Sequence, residues 1–242
     1  MKRIGILAHS GEGAALCFLA AVHAGEEALG PHFHPDIVMD IEAMGASMAD
    51  WEALERVPIR ARFERAVRRL SAAGAEFFIC PDNTAHLALE APGEALLLPG
   101  LHIADIVAGE AERRQFRAIG ILGTRWTMEG PIYPRELTAG GLKSLVPDKE
   151  QRETIQRIIF DELVRGIVSD ESRAALAAVV LDLKRKGCDA VVLGCTELPM
   201  ILDDTTSPLP TLPSTQLLAR AAVDVALGTM PLPTWRGGPF VS

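Results

Sequence analysis

Ile4-Gly5-Ile6-Leu7 returns as Ile119-Gly120-Ile121-Leu122, 115 residues further along the chain. A second recurrence has nearly the same spacing. Gly74-Ala75-Glu76 leads into an apolar run that ends at Asp82-Asn83-Thr84, and Gly187-Cys188-Asp189 leads into one that ends at Cys195-Thr196-Glu197, an offset of 113. Two recurrences with matching offsets read as a duplicated structural unit. Around them, short β-rich runs alternate with longer amphipathic stretches. Arg3–Leu7, Ile37–Ile41, Phe77–Cys80, Ile119–Leu122 and Val191–Leu193 have the character of buried strands. Asp50–Ala73 places Trp51, Leu54, Ile59, Phe63, Val67 and Leu70 at helical spacing, which predicts one amphipathic helix, and a last helix is expected near Leu217–Ala226. The alternation predicts an α/β fold built from parallel βαβ units.

In open parallel sheets ligands bind beyond the carboxyl ends of the strands, so the residues just after each run are the candidate site. If two such halves face one another, Asp82 and Cys195 stand at equivalent strand ends on opposite walls of one cleft. That pairing has a chemical use. Inverting a carbon centre takes a proton from one face and returns one to the other, which two opposed acid/base groups can do. A thiol, with a reference pKa of about 8.5, yields thiolate once a helix N-terminus or a cation lowers it, and Cys195 is expected to open a helix. Asp82 would need burial to lift its carboxyl above the ordinary value near 4, and as an alternative it caps the turn that follows. Asn83, Thr84, Thr124 and Thr196 all follow predicted strands, where short polar groups can hold a substrate carboxylate. Ser10 is a further substrate contact. His9 either contacts a substrate carboxylate and moves a proton or hydrogen-bonds its own turn.

Composition closes off other classes. The 242 residues carry a formal net charge of −8 and are 48% hydrophobic and 23% charged. That is the balance of a globular protein with no basic field for nucleic acid or an anionic membrane. No apolar stretch nears the roughly 20 residues of a membrane span. The apolar start breaks at His9-Ser10-Gly11, so a cytoplasmic protein is expected. Cys17, Cys80, Cys188 and Cys195 form no Cys-x-x-Cys pair and read as free thiols. Gly5, Gly11 and Gly13 have the wrong spacing for a dinucleotide loop. His32 and His34 lack a third ligand nearby, so no metal is expected.

The runs Gly120-Ile121-Leu122-Gly123-Thr124-Arg125-Trp126-Thr127-Met128-Glu129, Ile158-Ile159-Phe160-Asp161-Glu162-Leu163 and Val192-Leu193-Gly194-Cys195-Thr196-Glu197-Leu198-Pro199, with Asn83-Thr84-Ala85-His86, resemble the aspartate/glutamate racemase family. The resemblance spans almost the whole chain. It implies two Rossmann-like, doubly wound halves related by a pseudo-twofold, 1–102 with 212–242 and 103–211, and an active site between them. It also implies a homodimer, no cofactor and no metal. The expected activity is racemisation or epimerisation of an acidic amino acid or close analogue. Cys195 and Asp82 would be catalytic, and Ser10, His9, Asn83, Thr84, Thr124, Thr196 and Glu197 would bind substrate. Three features depart from the family pattern. Asp82 stands where members carry the first cysteine, His9 lies in a turn that is usually glycine-rich, and Pro213-Ser214-Thr215 replaces Asp-Thr-Thr. The first departure keeps two alternatives open: a one-cysteine lyase resembling arylmalonate decarboxylase, and a small-molecule binder that has lost catalysis.

Overall fold

The computed structural model describes residues 1–240. The chain divides into two compact units, Met1–Ile106 with the segment from Thr215 onward, and Val107–Ser214. In the first unit β1 (Ile4–Ala8) lies between β2 (Ile37–Ile41) and β3 (Phe77–Ile79), all parallel, with Ile4 in register with both Ile37 and Phe77. Parallel neighbours need crossover connections, and the helices Gly11–Leu29 and Arg56–Ala72 lie within them. Every residue of β1 is buried, as in a strand covered on both faces. The same core holds Ala14, Cys17 and Ala21 from helix Gly11–Leu29 and Leu218, Ala222 and Val225 from the helix Ser214–Leu227. Helix Arg56–Ala72 buries Ile59, Phe63, Val67 and Leu70. At Gly5 a Cβ would stand 3.0 Å from Ala75 Cβ, 3.1 Å from the Phe77 carbonyl oxygen and 3.3 Å from Leu70 Cδ1. The glycine of the first repeat is therefore a packing requirement.

The second unit repeats this plan. β4 (Ala118–Gly123) lies between β5 (Lys143–Leu145) and β6 (Ala190–Gly194), with β7 (Thr211–Pro213) beyond β6, all parallel. At Gly120 a Cβ would meet Leu183 Cδ1 at 2.8 Å and Val191 Cγ1 at 3.0 Å. Leu183 belongs to helix Asp170–Arg185, the counterpart of Arg56–Ala72. Leu70 and Leu183 are 113 apart in sequence, and so are Gly74 and Gly187. Both glycines follow the helix with φ of +88° and +98°, a backbone state that L side chains avoid. The recurrent sequence is thus a recurrent helix stop, strand and packing contact. The first unit keeps only a remnant of the fourth strand, a parallel bridge between Phe78 and Gly100.

Two expectations need correction. The single helix over Asp50–Ala73 is two, Met48–Glu52 and Arg56–Ala72, broken at Leu54, whose φ is +60°. Leu54 is consequently 66% exposed, whereas Trp51 is buried. β5 and β7 were not expected, being only three residues each and partly polar. Among the described residues no helix is long and apolar enough to cross a membrane.

Candidate active site

In each unit the central strand and its crossover neighbour end in a turn that holds titratable side chains. In the first unit β1 ends at Ala8, and His9 and Ser10 follow. Ser10 is the N-cap of helix Gly11–Leu29, its Oγ accepting the Gly13 N–H at 3.2 Å. His9 is 8% exposed, and its Nδ1 lies 2.6 Å from Asp82 Oδ2. Asp82, three residues beyond β3, also accepts the Ala85 N–H on Oδ1 at 3.2 Å. It therefore stabilises the turn after the strand and pairs with His9 at once. Asn83 is buried and Thr84 half-buried in that turn. Thr215 donates to the Pro81 carbonyl at 3.3 Å.

The lift that Asp82 would need to act as an efficient base is not what its surroundings supply. Burial pushes its carboxyl up, but the pairing with His9 above all, and the Ala85 N–H, outweigh burial and hold it below the usual value. His86 sits directly behind. Its Nδ1 lies 3.0 Å from the Asp82 carbonyl oxygen, and its Nε2 accepts the Ile103 N–H at 3.2 Å. Burial above all, and the neighbouring His102, push the His86 imidazole down to about 3. Cys80 is fully buried, and burial raises its thiol far above the usual range.

In the second unit Cys195 follows β6 directly and is half-buried. It does not open a helix. Thr196 and Glu197 form a turn, and only a 3-10 turn, Leu198–Met200 with Pro199 inside it, comes next. A dipole of the kind a full helix supplies is therefore missing, and the side chain that Cys195 hydrogen-bonds is acidic. The Cys195 thiol donates to Glu197 Oε2 at 2.8 Å, and Glu197 is 7% exposed. Thr196 is half-buried beside them. Thr124, after β4, is the N-cap of the short helix Arg125–Glu129 and matches Ser10 of the first unit in that role. Ser214, fully buried, donates to the Leu193 carbonyl at 3.0 Å.

Ser47 and Trp51 were not expected at this site. Both come from the segment after β2. The Trp51 indole N–H donates to His9 Nε2 at 3.0 Å, and Ser47 Oγ lies 3.4 Å from the same nitrogen. A buried tryptophan ordinarily finds an acceptor for its N–H, and that was the available signal. His32 and His34 point elsewhere, His32 Nδ1 being 3.8 Å from Glu26 Oε1 and His34 Nδ1 2.8 Å from the Pro35 carbonyl. Among the described residues no three His, Cys, Asp or Glu side chains are grouped to hold a metal ion.

Comparison with known proteins matches this layout. The family described as Asp/Glu/Hydantoin racemase matches residues 13–222. A broad specificity amino-acid racemase of Bacillus subtilis is 28% identical over 159 residues, 66% of this chain and 68% of that protein. A Yersinia pestis protein described as a candidate Asp/Glu racemase has a crystal structure that superposes with a TM-score of 0.85 at 30% identity, covering 94% of this chain and all of that one. An aspartate racemase homologue from Pyrococcus horikoshii superposes with a TM-score of 0.83 at 27% identity, again over 94% of this chain and all of that one. The α/β fold with two parallel-sheet halves is that of these racemase structures. This chain belongs to the Asp/Glu/Hydantoin racemase family.

Proposed function

We propose that this chain is a racemase or epimerase of an acidic amino acid or a close analogue, working without pyridoxal phosphate or a metal, with Cys195 and Asp82 as its two proton carriers. One observation carries the reading: positions 113 residues apart, each just beyond the matching strand of its unit, hold a thiol and a carboxylate, and each has its own proton partner. In the resting arrangement the thiol holds a proton and Asp82 is ionised. For one enantiomer, Asp82 accepts the α-proton while Cys195 gives its thiol proton to the opposite face of the carbanion. For the other enantiomer the thiol proton passes to Glu197 and Asp82 takes one from solvent, so that the thiolate removes the α-proton and Asp82 returns its own to the opposite face of the carbanion. Asn83, Thr84 and Thr196 hold the substrate carboxylate together with Ser10, Thr124 and the N–H groups of their helix N-termini. The names of the relatives support an amino-acid substrate, and the protein is proposed to act as a cytoplasmic homodimer.

The test is incubation with both enantiomers of aspartate, glutamate and other amino acids in D2O, watching the α-proton by NMR. Wild type exchanges the α-proton and interconverts the enantiomers, and Cys195→Ala and Asp82→Asn both lose this. Exchange lost in Cys195→Ala but unchanged in Asp82→Asn would remove Asp82 as the second carrier. The depressed proton affinity of Asp82 favours a second reading, a one-sided decarboxylase. There a substituted malonate loses carbon dioxide, and Cys195 protonates one face of the carbanion left behind. Carbon dioxide release from such a malonate, without exchange of aspartate or glutamate, would favour it. Tight amino-acid binding with no deuterium entering the α-position would mark the chain as a binder.

A further inference from the structure

His9 and Asp82 depart together from the family pattern, and the structure joins them at 2.6 Å. What His9 does depends on which ring nitrogen carries its proton. Indole N–H is a donor only, so a His9 Nε2 that lies 3.0 Å from Trp51 Nε1 must present its lone pair. Ser47 does not change this, because its hydroxyl proton goes to the Met44 carbonyl at 2.9 Å, and its remaining contact to Nε2 is at 3.4 Å. An imidazolium would set an Nε2–H against the indole N–H. The proton therefore sits on Nδ1, aimed at Asp82 Oδ2.

We propose that Trp51 is a positioning residue for the first-unit carboxylate. Its indole N–H fixes His9 as the Nδ1–H tautomer, His9 donates that proton to Asp82, and neither ring nitrogen remains to exchange protons with a substrate. The inference deepens the racemase reading and rests on it only where turnover is concerned. It separates the roles of two residues that the sequence leaves together. Asp82 keeps one lone pair on each oxygen after accepting from His9 and Ala85, so the carboxylate can take a proton and the imidazole cannot. When a substrate α-C–H bond breaks, its electron pair stays on the substrate and the proton adds to an Asp82 oxygen. His9 is neutral before and after. His86 applies the same logic behind the site, since its Nε2 accepts the Ile103 N–H and its Nδ1–H is left for the Asp82 carbonyl. Asp82 is thus held by two neutral histidines, one on its side chain and one on its backbone.

The support is built from buried parts. Ser47, Trp51 and His9 are 4%, 6% and 8% exposed, and the His9 ring meets Trp51 and Phe63 edge-on with centroids 5.6 Å away. The other ionisable groups facing this cluster are Asp40, Glu42 and Arg62, which line the small cavity beside His9, and His86 and Cys80 behind Asp82. Asp40 and Glu42 are engaged by Arg69 at 2.6 to 2.8 Å, which leaves Asp82 as the carboxylate on His9.

The test is long-range 1H–15N spectroscopy of the resting protein labelled at its six histidines, with the His9 signal assigned by its loss in His9→Asn. His9 is expected as the Nδ1–H tautomer. In Trp51→Phe, His9 gains an Nε2–H population. A wild-type His9 found as the Nε2–H tautomer or as an imidazolium overturns the proposal, as does a His9 signal that is the same in Trp51→Phe. Should Trp51→Phe not fold, 13C titration of Asp82 supplies the second measurement. His9→Asn keeps a nitrogen donor at the Nδ1 position and leaves the Asp82 midpoint low, while His9→Ala raises it, and an unchanged midpoint in His9→Ala overturns the proposal. If no amino acid exchanges its α-proton but His9 behaves as described, the racemase reading fails and the Trp51–His9–Asp82 arrangement stands.

Discussion

The two units reach the same point of the same plan with opposite chemistry. After β3 the side chain is a half-buried carboxylate that accepts hydrogen bonds from His9 and Ala85. After β6 it is a thiol that donates one, to the neighbouring Glu197. The first arrangement opposes protonation, and the second keeps a proton in hand. A duplicated backbone therefore does not require a duplicated acid/base group. The strand end supplies a position, and the residues around it decide whether the position works as base or acid.

The largest expected effect breaks this comparison at its thiol. Cys195→Ala lowers the α-proton exchange rate by about 10³-fold or more for both enantiomers, near the upper part of the range for loss of a positioned acid/base group. Asp82→Asn lowers it by about 10²-fold. Glu197→Gln slows most the enantiomer whose proton Cys195 must abstract, because only that direction needs the thiol proton removed first. Single-turnover exchange of each pure enantiomer in D2O measures all three. Equal slowing of both enantiomers in Glu197→Gln would remove Glu197 as the acceptor of the thiol proton.

How much of this could be read from the sequence follows from the range of the forces involved. β1, β3, β4 and β6 declare themselves because strands buried on both faces must be continuously apolar, whereas β2, expected as a buried strand, is partly exposed along its length and shows itself only because four of its five residues are apolar. Gly5 and Gly120 point to the duplication because close packing leaves no room for a side chain at either. β5 and β7 are hidden, since three partly polar residues carry no periodicity. The positions of His9, Asp82 and Cys195 were legible as strand ends, but their partners were not. Trp51 reaches His9 across 42 residues and His9 reaches Asp82 across 73, contacts that only tertiary structure creates. For that reason the sign of the Asp82 shift was not legible: burial was foreseeable and the hydrogen-bonded histidine was not. The break at Leu54, just after the short helix that carries Trp51, was hidden behind an apolar pattern that suits a continuous helix.

The next effect compares the two repeat glycines. Gly5→Ala places its methyl against Ala75 Cβ and a backbone carbonyl, neither of which can rotate away, whereas at Gly120 the nearest atoms are the ends of Leu183 and Val191. Overpacking of a rigid core costs typically 1 to 3 kcal/mol, so Gly5→Ala is expected to destabilise by about 2 kcal/mol and Gly120→Ala by roughly half as much. Urea unfolding of both variants measures the difference, and a larger loss at Gly120 would contradict this packing account.

A smaller effect depends on pH and on the first unit alone. His86 is fully buried, stacked on Trp235 with an interplanar angle of 11°, and its imidazole is held down to about 3. An unfolded histidine has a pKa of about 6.5, so between these values the unfolded state binds a proton that the folded state refuses, and stability falls as pH drops. The slope reaches about 1.4 kcal/mol per pH unit below pH 6. His86→Asn is less stable at pH 7 but should lose less on going to pH 5 than wild type does. Equal losses would mean that His86 takes up its proton without unfolding.

The smallest effect tests whether Ser10 and Thr124 are structural, functional or both. Each caps a helix just after the central strand of its unit, Ser10 one of 19 residues and Thr124 one of five. Removing a cap hydroxyl costs about 1 kcal/mol, and glycine at the same position restores most of it. Ser10→Ala is therefore expected to lower stability by about 1 kcal/mol. Thr124→Ala should cost less, because its cap bond is longer, at 3.4 Å against 3.2 Å, and the helix it starts is short. Ser10→Gly separates the two roles, since it recovers the cap but not a hydroxyl. If Ser10→Gly is as stable as wild type but has a raised KM with kcat little changed, the hydroxyl serves the substrate as well as the helix. If KM is also restored, the helix N–H groups that the hydroxyl only partly occupies are enough to bind the carboxylate.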